Sequence, residues 1–325
     1  MAKKLADILP GTKEQVVLRD LTTFKVGGVA DYYYEAKSIA DLAKAVKAAL
    51  GLKQPYFILG NGSNILCSDY GFPGLVIKND TSNIAFMREK SQVIADSGVM
   101  LSKLIIESVS NELSGLEFLY GVPGTIGGAV YGNAGAQGNA IGDYVKGMTI
   151  LTIDPQDNLP KVIQVGAEWM DFSYRTTKLK QLKSKMKPVI LTVRFQFSRI
   201  QKEELMRRLN RYQALRQKTQ PAGPSSGSIF KNPIPESLAN VTGLGTKGMP
   251  EIPRERTAGF MLDKAGAKKI KFANVEVSPL HANWVVSKPG AKANEIRSVI
   301  EEMREKVRQK YNITLSEEIE YIGQW

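Results

Sequence analysis

The sequence predicts an α+β protein with more than one domain, and three observations support this. Its 325 residues exceed the usual length of a single domain. Segments rich in β-branched and aromatic residues occur between amphipathic helical segments, without a fixed repeat. A stretch dense in Pro, Gly and Ser, KTQPAGPSSGS at 218–228, separates a strand-rich middle part from a smaller mixed unit. With 43% hydrophobic and 23% charged residues, the composition is that of a globular protein.

The first clear pattern is strand, helix, strand. DYYYEA at 31–36 is a strand candidate, and Ser38 with Asp41 three residues later forms a capping box. The helix that follows carries apolar residues at helical spacing and ends near Gly51; these residues are Ile39, Leu42, Val46 and Ala49. PYFILG at 55–60 and GLVIKN at 74–79 are predicted as short buried strands.

The part from about Thr81 to Ser198 is predicted to be mainly strands. The strand candidates are SQVIADSG at 91–98, VKGMTILTID at 145–154, KVIQVG at 161–166 and PVILTVRFQF at 188–197. A helix is predicted for LSKLIIESVSNELSG at 101–115. Lys202–Gln217 is predicted as a basic amphipathic helix with the apolar stripe Leu205, Leu209, Tyr212 and Leu215.

The part after the boundary is predicted as a smaller mixed unit. AGFMLDKAG at 258–266 and NEIRSVIEEMREKVRQKY at 294–311 have helical patterns. ANVEVS at 273–278, ANWVVSK at 282–288 and SEEIEYIG at 316–323 are strand candidates. Strict alternation in the last of these places Glu318 and Glu320 on one side and Glu317 on the other.

Charge is concentrated in one region. The net charge is +12, and 178–218 holds thirteen Lys and Arg against Glu203 and Glu204. Such a field suits a partner that carries phosphate, and a solvated helix face is the alternative. No nucleic acid is expected as a partner, because the sequence has no zinc-finger or RNP pattern.

Cysteine usage and hydropathy indicate the compartment. The single cysteine, Cys67, excludes an internal disulfide and a Cys-rich zinc site, so a cytoplasmic location and no metal are expected. The first fifteen residues lack the apolar core of a secretory signal. The longest uncharged run, 118–142, contains eight glycines and is not a membrane helix, so no membrane insertion is expected.

Two Gly-rich stretches are candidates for ligand binding. GNGSN at 60–64 directly follows a predicted strand, and its backbone N–H groups can either converge on an anion or form a tight structural turn. GVPGTIGGAVYGNAGAQG at 121–138 is too long for a single turn and suggests backbone packed against a large planar or polyphosphate ligand. Neither matches the dinucleotide GxGxxG or the phosphate loop GxxxxGK[ST].

Two side chains have candidate chemistry with an open alternative. Ser228, in AGPSSGSIFKNP, is a possible nucleophile, but no base is adjacent except Lys231, and serines in Pro/Gly loops are usually turn residues. Arg175, in DFSYRTT, suits a carboxylate or a phosphate, or else a surface ion pair.

Taken in chain order, these segments resemble one family. TTFKVGG, FILGNGSNIL, GVPGTIGGAVYGNAGA, YR, PSSGSIFKNP, AGFMLDKAG, VSPLHANWVV and LSEEIEYIG are similar to the UDP-N-acetylenolpyruvoylglucosamine reductases of bacterial peptidoglycan synthesis. The resemblance extends from about Thr22 to Gly323.

The resemblance implies a flavoenzyme with noncovalent FAD in a two-part domain of the vanillyl-alcohol-oxidase-like (PCMH-type) architecture, plus a smaller α+β substrate domain. The expected division is 1–79 as FAD-binding subdomain 1, 80–205 with 312–325 as subdomain 2, and 206–311 as the UDP-sugar domain. NADPH is the implied co-substrate that reduces the flavin. The reduced flavin then delivers hydride to UDP-N-acetylglucosamine enolpyruvate, which gives UDP-N-acetylmuramate. A monomer is expected.

The resemblance also implies residue roles. Ser228 matches the serine that protonates the substrate carbon, while Arg175 and Glu318 match the residues that hold and polarise the substrate carboxylate. The implied substrate contacts are Tyr174, Lys218, Lys231, Asn232, His281 and Asn283. The implied FAD contacts are Gly60, Asn61, Gly62, Ser63, Asn64, Ile65, Gly121, Val122, Pro123, Gly124, Thr125, Gly127, Gly128, Ala129, Asn133, Ala134 and Gly135.

The chain departs from the family pattern at two positions. Thr177 stands where many members have serine, and Glu320 stands where a basic residue is frequent. The segment between Arg175 and Ser228 is too short for the tyrosine-bearing loop of one subclass, so the second type is expected. The alternatives are another FAD-dependent oxidase or dehydrogenase with this fold, and a basic nucleic-acid-binding protein.

Overall fold

The computed structural model describes residues 5–154, 156–157, 159–183, 187–233 and 252–325. The α-helices in these ranges are α1 Leu5–Ile8, α2 Ile39–Gly51, α3 Leu101–Ser110, α4 Ile126–Tyr131, α5 Lys178–Gln181, α6 Lys202–Thr219, α7 Ala258–Lys264 and α8 Ala293–Tyr311. The strands are β1 Lys13–Val17, β2 Val29–Ala36, β3 Tyr56–Leu59, β4 Ile65–Cys67, β5 Phe72–Asn79, β6 Ile84–Met87, β7 Gln92–Asp96, β8 Leu113–Ser114, β9 Gly135–Ala136, β10 Asn139–Ala140, β11 Val145–Ile153, β12 Pro160–Gly166, β13 Val189–Gln196, β14 Ser198–Arg199, β15 Lys271–Phe272, β16 Val275–Val277, β17 Val285–Ser287 and β18 Glu320–Ile322.

The first unit is a four-stranded sheet with helix α2 packed against it. Its strand order is β1-β2-β5-β3, with β1 antiparallel to β2 and the other neighbours parallel. Helix α2 begins at the predicted capping box, in which Ser38 Oγ accepts from the Asp41 N–H and Asp41 Oδ2 accepts from the Ser38 N–H. Its apolar face, including Leu42 and Val46, is buried with Leu75 and Ile77 of the sheet.

The second unit is a five-stranded antiparallel sheet in the order β12-β11-β13-β7-β6. Helices α3, α4 and α6 contribute to its core. The third unit is the three-stranded sheet β15-β16-β17 covered by α8. The stripe of α8 predicted from the sequence is fully buried, which explains why its period is so regular: Ile296, Val299, Ile300, Met303 and Val307.

The C-terminal strand joins two of the units. Strand β18 lies parallel to β4, with Glu320 opposite Ile65 and Ile322 opposite Cys67. Leu66 of β4 and Ile319 are buried together in the core of the third unit. The end of the chain therefore connects the first unit to the third.

The packing differs from the expected division at two places. Helix α6 buries Leu205 and Leu209 in the core of the second unit, although most of it falls within the expected 206–311 domain. Strand β18 pairs with β4 in a separate two-stranded sheet that packs against the first unit through Cys67 and Ile322, rather than with the second-unit sheet to which 312–325 was assigned. The boundaries themselves stay a prediction.

Most predicted elements are confirmed, and α+β is the observed class. The helix predicted over 101–115 is too long: it ends at Ser110, because Leu113 and Ser114 pair with Arg199 and Ser198 instead. Strand β1 was missed, because KEQVV is largely exposed and shows no alternating pattern. Within the described ranges, no helix combines the length and apolarity that a membrane crossing requires.

The core of the first unit can be tested by truncating one side chain. Leu42 is 0% exposed, so Leu42→Ala leaves a cavity and is expected to lower the free energy of unfolding by about 2–5 kcal/mol. Urea denaturation followed by circular dichroism measures this. Lys44→Ala, on the exposed face of the same helix, is the matched control and is expected to change stability by less than about 0.5 kcal/mol. Equal effects of the two variants would contradict the assigned helix face.

Candidate active site

A cavity of about 840 Å³ lies between the Gly-rich loops and the segment that carries Ser228. Its wall includes Arg175, Ser228, Trp284, Glu318 and Glu320. Most residues predicted from the sequence to contact a cofactor also line it: Gly60, Asn61, Gly62, Ser63, Asn64, Ile65, Gly121, Val122, Pro123, Gly124, Thr125, Gly127, Gly128, Ala129, Ala134 and Gly135. Segments from distant parts of the sequence thus form one concave surface.

The two Gly-rich loops contact each other on this wall. Ser63 Oγ donates to the Pro123 carbonyl at 2.7 Å. A Cβ on Gly60 would lie 2.5 Å from Thr125 Oγ1, so a larger residue there would push the loops apart. Thr125 Oγ1 also accepts from the Gly128 N–H at 3.3 Å and caps helix α4. Gly60 is therefore needed for the close approach of the two loops.

Asn133, which was expected to contact the cofactor, does not line the cavity, and its expected role stays a prediction. It is 2% exposed and has a φ of +46°, a conformation that asparagine tolerates better than most residues. Its Nδ2 donates to the Ser173 carbonyl at 2.8 Å, and its Oδ1 accepts from the Gly142 N–H at 3.1 Å. The residue instead supports the loop that precedes Arg175.

Ser228 is positioned by backbone pairing on both sides of its segment. It forms a β-bridge with Trp284, and the next residue donates its N–H to the Asn283 carbonyl at 2.9 Å. On the other side, the Glu318 N–H donates to the Ile229 carbonyl at 2.7 Å. These bonds place Ser228 close in space to Glu318, ninety positions later in the sequence.

Asn283 is predicted from the sequence to contact the substrate, but it holds this segment in place from within the protein. It is 3% exposed; its Oδ1 accepts from the Phe230 N–H at 2.9 Å and its Nδ2 donates to the Phe230 carbonyl at 2.8 Å. His281 Nδ1 accepts from the Asn283 N–H at 3.2 Å. Burial lowers the pKa of His281, and the nearby Lys268 lowers it further, which favours the neutral imidazole that this hydrogen bond requires. Neither His281 nor Asn283 lines the cavity.

Arg175 is presented by a tight turn. Ser173 and Thr176 exchange backbone hydrogen bonds at 3.1 and 3.2 Å, and Arg175 between them has a φ of +53°. Positive φ at a non-glycine residue stores strain and is frequent at functional sites. Arg175 Nε lies 3.2 Å from Glu318 Oε1, within ion-pair distance. The angle does not make a hydrogen bond, and Nε–H is buried without any other acceptor. The Nε–H therefore faces the Glu318 carboxylate, while Arg175 as a residue lines the cavity.

A second polar cluster lies on the wall and consists of Tyr131, Lys180, Lys187 and Glu320. From the sequence, Glu320 was noted as a departure from the family pattern, but the other three residues were missed. Lys180 Nζ lies 3.1 Å from Glu320 Oε1, and Tyr131 OH donates to Glu320 Oε2 at 3.3 Å. Lys187 Nζ donates to Tyr131 OH at 3.1 Å. Burial raises the pKa of Tyr131, and the neighbouring Glu320 raises it further, so the phenol stays protonated as a donor. We call these residues the Glu320 cluster.

The only sequence signal for the two lysines was the charge run at 178–218. Arg216, in the same run, also lines the cavity and donates to the Phe118 carbonyl at 3.2 Å. Part of the basic charge of the run 178–218 therefore faces the cavity.

Thr177 stands where many family members have serine, and it is fully buried. Its hydroxyl donates to the Tyr131 carbonyl at 2.7 Å and caps α5.

The remaining predicted substrate contacts lie behind the wall or away from it. Asn232 donates its N–H to Tyr174 OH at 3.2 Å, and its Oδ1 accepts from the Ala258 N–H at 3.0 Å. Lys231 is half-buried, and burial lowers its pKa; the neighbouring Lys180 lowers it further. Lys218 is exposed at the end of α6. None of these four side chains lines the cavity.

The residues present fit FAD. The wall formed by glycine and alanine is long and sterically open, as a large planar group requires. Lys187 and Arg216 supply positive charge for phosphate groups. Ser226 Oγ is buried in the same wall without a hydrogen-bond partner, so its hydroxyl is available to hydrogen-bond a ligand. Across the part of the chain that the structure describes, no group of three or more His, Cys, Asp and Glu side chains is arranged to hold a metal ion.

Comparison with known proteins gives two family matches. Residues 217–322 match the model of the UDP-N-acetylenolpyruvoylglucosamine reductase C-terminal domain, and residues 30–155 match an FAD binding domain. The second match confirms the expected FAD-binding architecture of the N-terminal part.

Individual relatives match nearly the whole chain. A UDP-N-acetylenolpyruvoylglucosamine reductase of Caldicellulosiruptor saccharolyticus is 34% identical over 309 residues, covering 95% of this chain and 91% of the relative. That of Clostridium novyi is 31% identical over 325 residues, covering 99% and 96%. The crystal structure of the Thermus caldophilus reductase superposes with a TM-score of 0.73 at 26% identity, covering 95% of this chain and 98% of that one.

The role of Asn283 as an internal support can be tested with Asn283→Ala. Two buried backbone groups of Phe230 lose their partners, so the free energy of unfolding is expected to fall by about 2–4 kcal/mol. Denaturant unfolding measures the loss, and Asn294→Ala, an exposed asparagine on α8, is the control. If Asn283→Ala is as stable as the control, the residue is not a support and its predicted substrate contact regains weight.

Proposed function

The chain belongs to the UDP-N-acetylenolpyruvoylglucosamine reductase family, and from this we infer the reaction of its cavity. The protein is an oxidoreductase of peptidoglycan synthesis that reduces UDP-N-acetylglucosamine enolpyruvate to UDP-N-acetylmuramate. FAD is its cofactor and NADPH is its reductant. The observation that carries the proposal at residue level is that Ser228, Arg175 and Glu318 share one wall with both Gly-rich loops.

The reaction adds a hydride and a proton across a carbon–carbon double bond next to a carboxylate. When bound, FAD accepts hydride from NADPH and supplies it to the methylene carbon of the substrate. Negative charge then develops on the adjacent carbon and its carboxylate. The residues of this chain have two tasks: to stabilise that charge and to supply the proton.

We propose that Arg175 performs the first task together with Glu318. The Arg175 guanidinium lines the cavity as a cation suited to the substrate carboxylate, and the ion pair of its Nε with Glu318 fixes it in place. Their side chains are only 21% and 18% exposed, so the interaction is weakly screened by solvent. Glu318 thereby acts on the substrate by orienting the arginine and by polarising the carboxylate.

We propose that the Ser228 hydroxyl performs the second task as proton donor. Its backbone is fixed by pairing with Trp284, and it lines the same cavity as Arg175. A serine hydroxyl is a weak acid, so it needs positive charge nearby to lose a proton. Arg175 and Arg216 line the same cavity as Ser228, and we propose that they meet this requirement.

The proposed substrate contacts divide into two groups. Tyr174, Lys231 and Asn232 adjoin Arg175 or the Ser228 segment and are proposed to hold the anionic part of the substrate. Lys218, exposed in the last turn of α6, is proposed to meet the diphosphate. His281 and Asn283 are proposed to act indirectly through the Ser228 segment. We also propose that the protein is a monomer and that it belongs to the second subclass of the family, which lacks the tyrosine-bearing loop. Its proposed location is the cytoplasm, where the buried thiol of Cys67 stays reduced.

The proton-donor role predicts a selective loss. In Ser228→Ala, flavin reduction by NADPH is expected to stay within about 2-fold of wild type, while transfer to the enolpyruvyl substrate falls about 10²- to 10⁴-fold. Stopped-flow absorbance of the flavin resolves the two half-reactions. Ser228→Cys keeps an ionisable group in place and is expected to retain more activity than the alanine variant. Equal slowing of both half-reactions by Ser228→Ala would exclude proton donation by this residue.

The lowered pKa of Lys231 predicts a pH effect on substrate binding. Because burial disfavours its charged form, the ammonium is lost at a lower pH than for an ordinary lysine. Arg175 and Lys180 act in the same direction, and Glu318 and Glu320 oppose them. Affinity for the UDP-sugar is therefore expected to weaken as the pH rises from about 7 to 10, and Lys231→Arg is expected to remove that dependence. Titration calorimetry across this range measures both; an unchanged dependence in Lys231→Arg would rule out Lys231 as the titrating group.

A further inference from the structure

Lys180 makes two contacts that meet on the C-terminal segment. Its Nζ donates to the backbone carbonyl of Glu318 at 3.1 Å and pairs with Glu320 Oε1 at 3.1 Å. Its side chain is only 15% exposed, so both contacts are largely shielded from solvent. A surface lysine gains little from an ion pair, but this one bridges two points of a segment that carries a proposed active-site carboxylate.

The peptide of Glu318 is held from three directions. Its N–H donates to the Ile229 carbonyl at 2.7 Å, and its carbonyl accepts from both Lys180 Nζ and Asn64 Nδ2, the latter at 3.2 Å. The direction of a side chain follows from the orientation of its own peptide. The bond from Lys180 therefore helps to set where the Glu318 carboxylate lies against Arg175.

Helix α5 is built to hold Lys180 in this position. The helix is a single turn, and its start is fixed by the buried hydroxyl of Thr177, which also bonds to the Tyr131 carbonyl. Lys187 Nζ donates to the Lys180 carbonyl at 3.2 Å and so braces the end of the turn. The segment that presents Arg175 to the Glu318 side chain thus continues directly to the lysine that holds the Glu318 backbone.

We propose that Lys180 is a positioning residue for Glu318. It acts through its hydrogen bond to the Glu318 carbonyl. Its ion pair with Glu320 also neutralises the Glu320 carboxylate, which lies on the same wall as the Glu318 carboxylate. The inference rests on the proposed role of Glu318. It assigns Lys180 to the transfer of hydride and proton to the UDP-sugar, and not to the reduction of the flavin.

The first test compares Lys180 of α5 with Lys183, which follows the same helix, in the purified FAD enzyme. Lys180→Met is expected to slow the half-reaction with the UDP-sugar about 10- to 100-fold, because a small displacement of a positioned group lowers a rate by about this factor. The effect is expected on kcat more than on KM. Flavin reduction by NADPH is expected to stay within about 3-fold. Lys183→Met, an exposed lysine three residues away, is expected to leave both half-reactions unchanged. Equal rates in the two variants, or equal slowing of both half-reactions in Lys180→Met, would overturn the proposal.

Glu320→Gln separates the two contacts of Lys180. It removes the ion pair but leaves the bond to the Glu318 carbonyl, so the half-reaction with the UDP-sugar is expected to stay within about 5-fold of wild type. In the double variant Lys180→Met/Glu320→Gln, the half-reaction with the UDP-sugar is expected to stay as slow as in Lys180→Met. Full recovery in the double variant would show that Lys180 only compensates the charge of Glu320. A Glu320→Gln variant as slow as Lys180→Met would show that the ion pair, and not the bond to the Glu318 carbonyl, matters for the half-reaction. Either result would overturn the proposal.

Two further measurements test whether Lys180 affects its neighbours as proposed and whether Glu318 has its proposed role. In Lys180→Met, the pKa of Lys231 is expected to rise, because a neighbouring positive charge that lowers it has gone; NMR of the labelled lysine side chain detects this without turnover. An unmoved titration would contradict the close approach of the two lysines. Glu318→Gln tells the two proposals apart: if it leaves the half-reaction with the UDP-sugar fast, the proposed role of Glu318 has failed, and if it is slow while Lys180→Met is fast, only the assignment of Lys180 has failed.

Discussion

The site depends on the backbone pairing that holds Ser228–Lys231 between two other segments. On one side it is bonded to Asn283 and Trp284, and on the other to residues 316–318, where Lys231 N–H donates to the Ser316 carbonyl at 2.9 Å and Phe230 forms a bridge with Glu317. A three-segment arrangement of this kind leaves few buried backbone groups unpaired, so it is rigid. Ser228 and Glu318 are placed by this rigidity, and not by any bond between their side chains.

The same pairing explains how the cofactor loops and the substrate residues come together. The chain continues from Glu318 into β18, which lies parallel to β4 directly after the first Gly-rich loop. Asn64, the last residue of that loop, bonds to Glu318 through its side chain and to Glu320 through its carbonyl. A protein that carries hydride from a flavin to a sugar nucleotide must hold both in contact, and here one short strand links the two binding regions.

Charge within the cavity follows from the same arrangement. Glu318 and Glu320 face inward on one side of the terminal segment, while Glu317 faces away and pairs with Arg304 of α8. Each inward carboxylate has its own cation, Arg175 for Glu318 and Lys180 for Glu320. In a partly buried site, uncompensated charge is costly, so each acid is matched with a base. Lys187 and Arg216 remain as excess positive charge on the wall, which suits ligands that carry phosphate.

The sequence by itself determined what depends on near neighbours. The capping box at Ser38, the buried stripe of α8 and the alternation of Glu317, Glu318 and Glu320 were all predictable, because they follow from the period of a helix or strand. Ordered motifs likewise identified the family and the two loops that line the cavity. Asn133 and Asn283 were expected from the family resemblance to contact ligands, and in the structure both are buried with side chains that bond to backbone groups. Lys180 looked like one more charge in a basic run. Only the tertiary structure decided these contacts, because the partners of Asn283 and Lys180 lie 53 and 138 positions away, and contacts at that distance are set by packing between units rather than by local pattern.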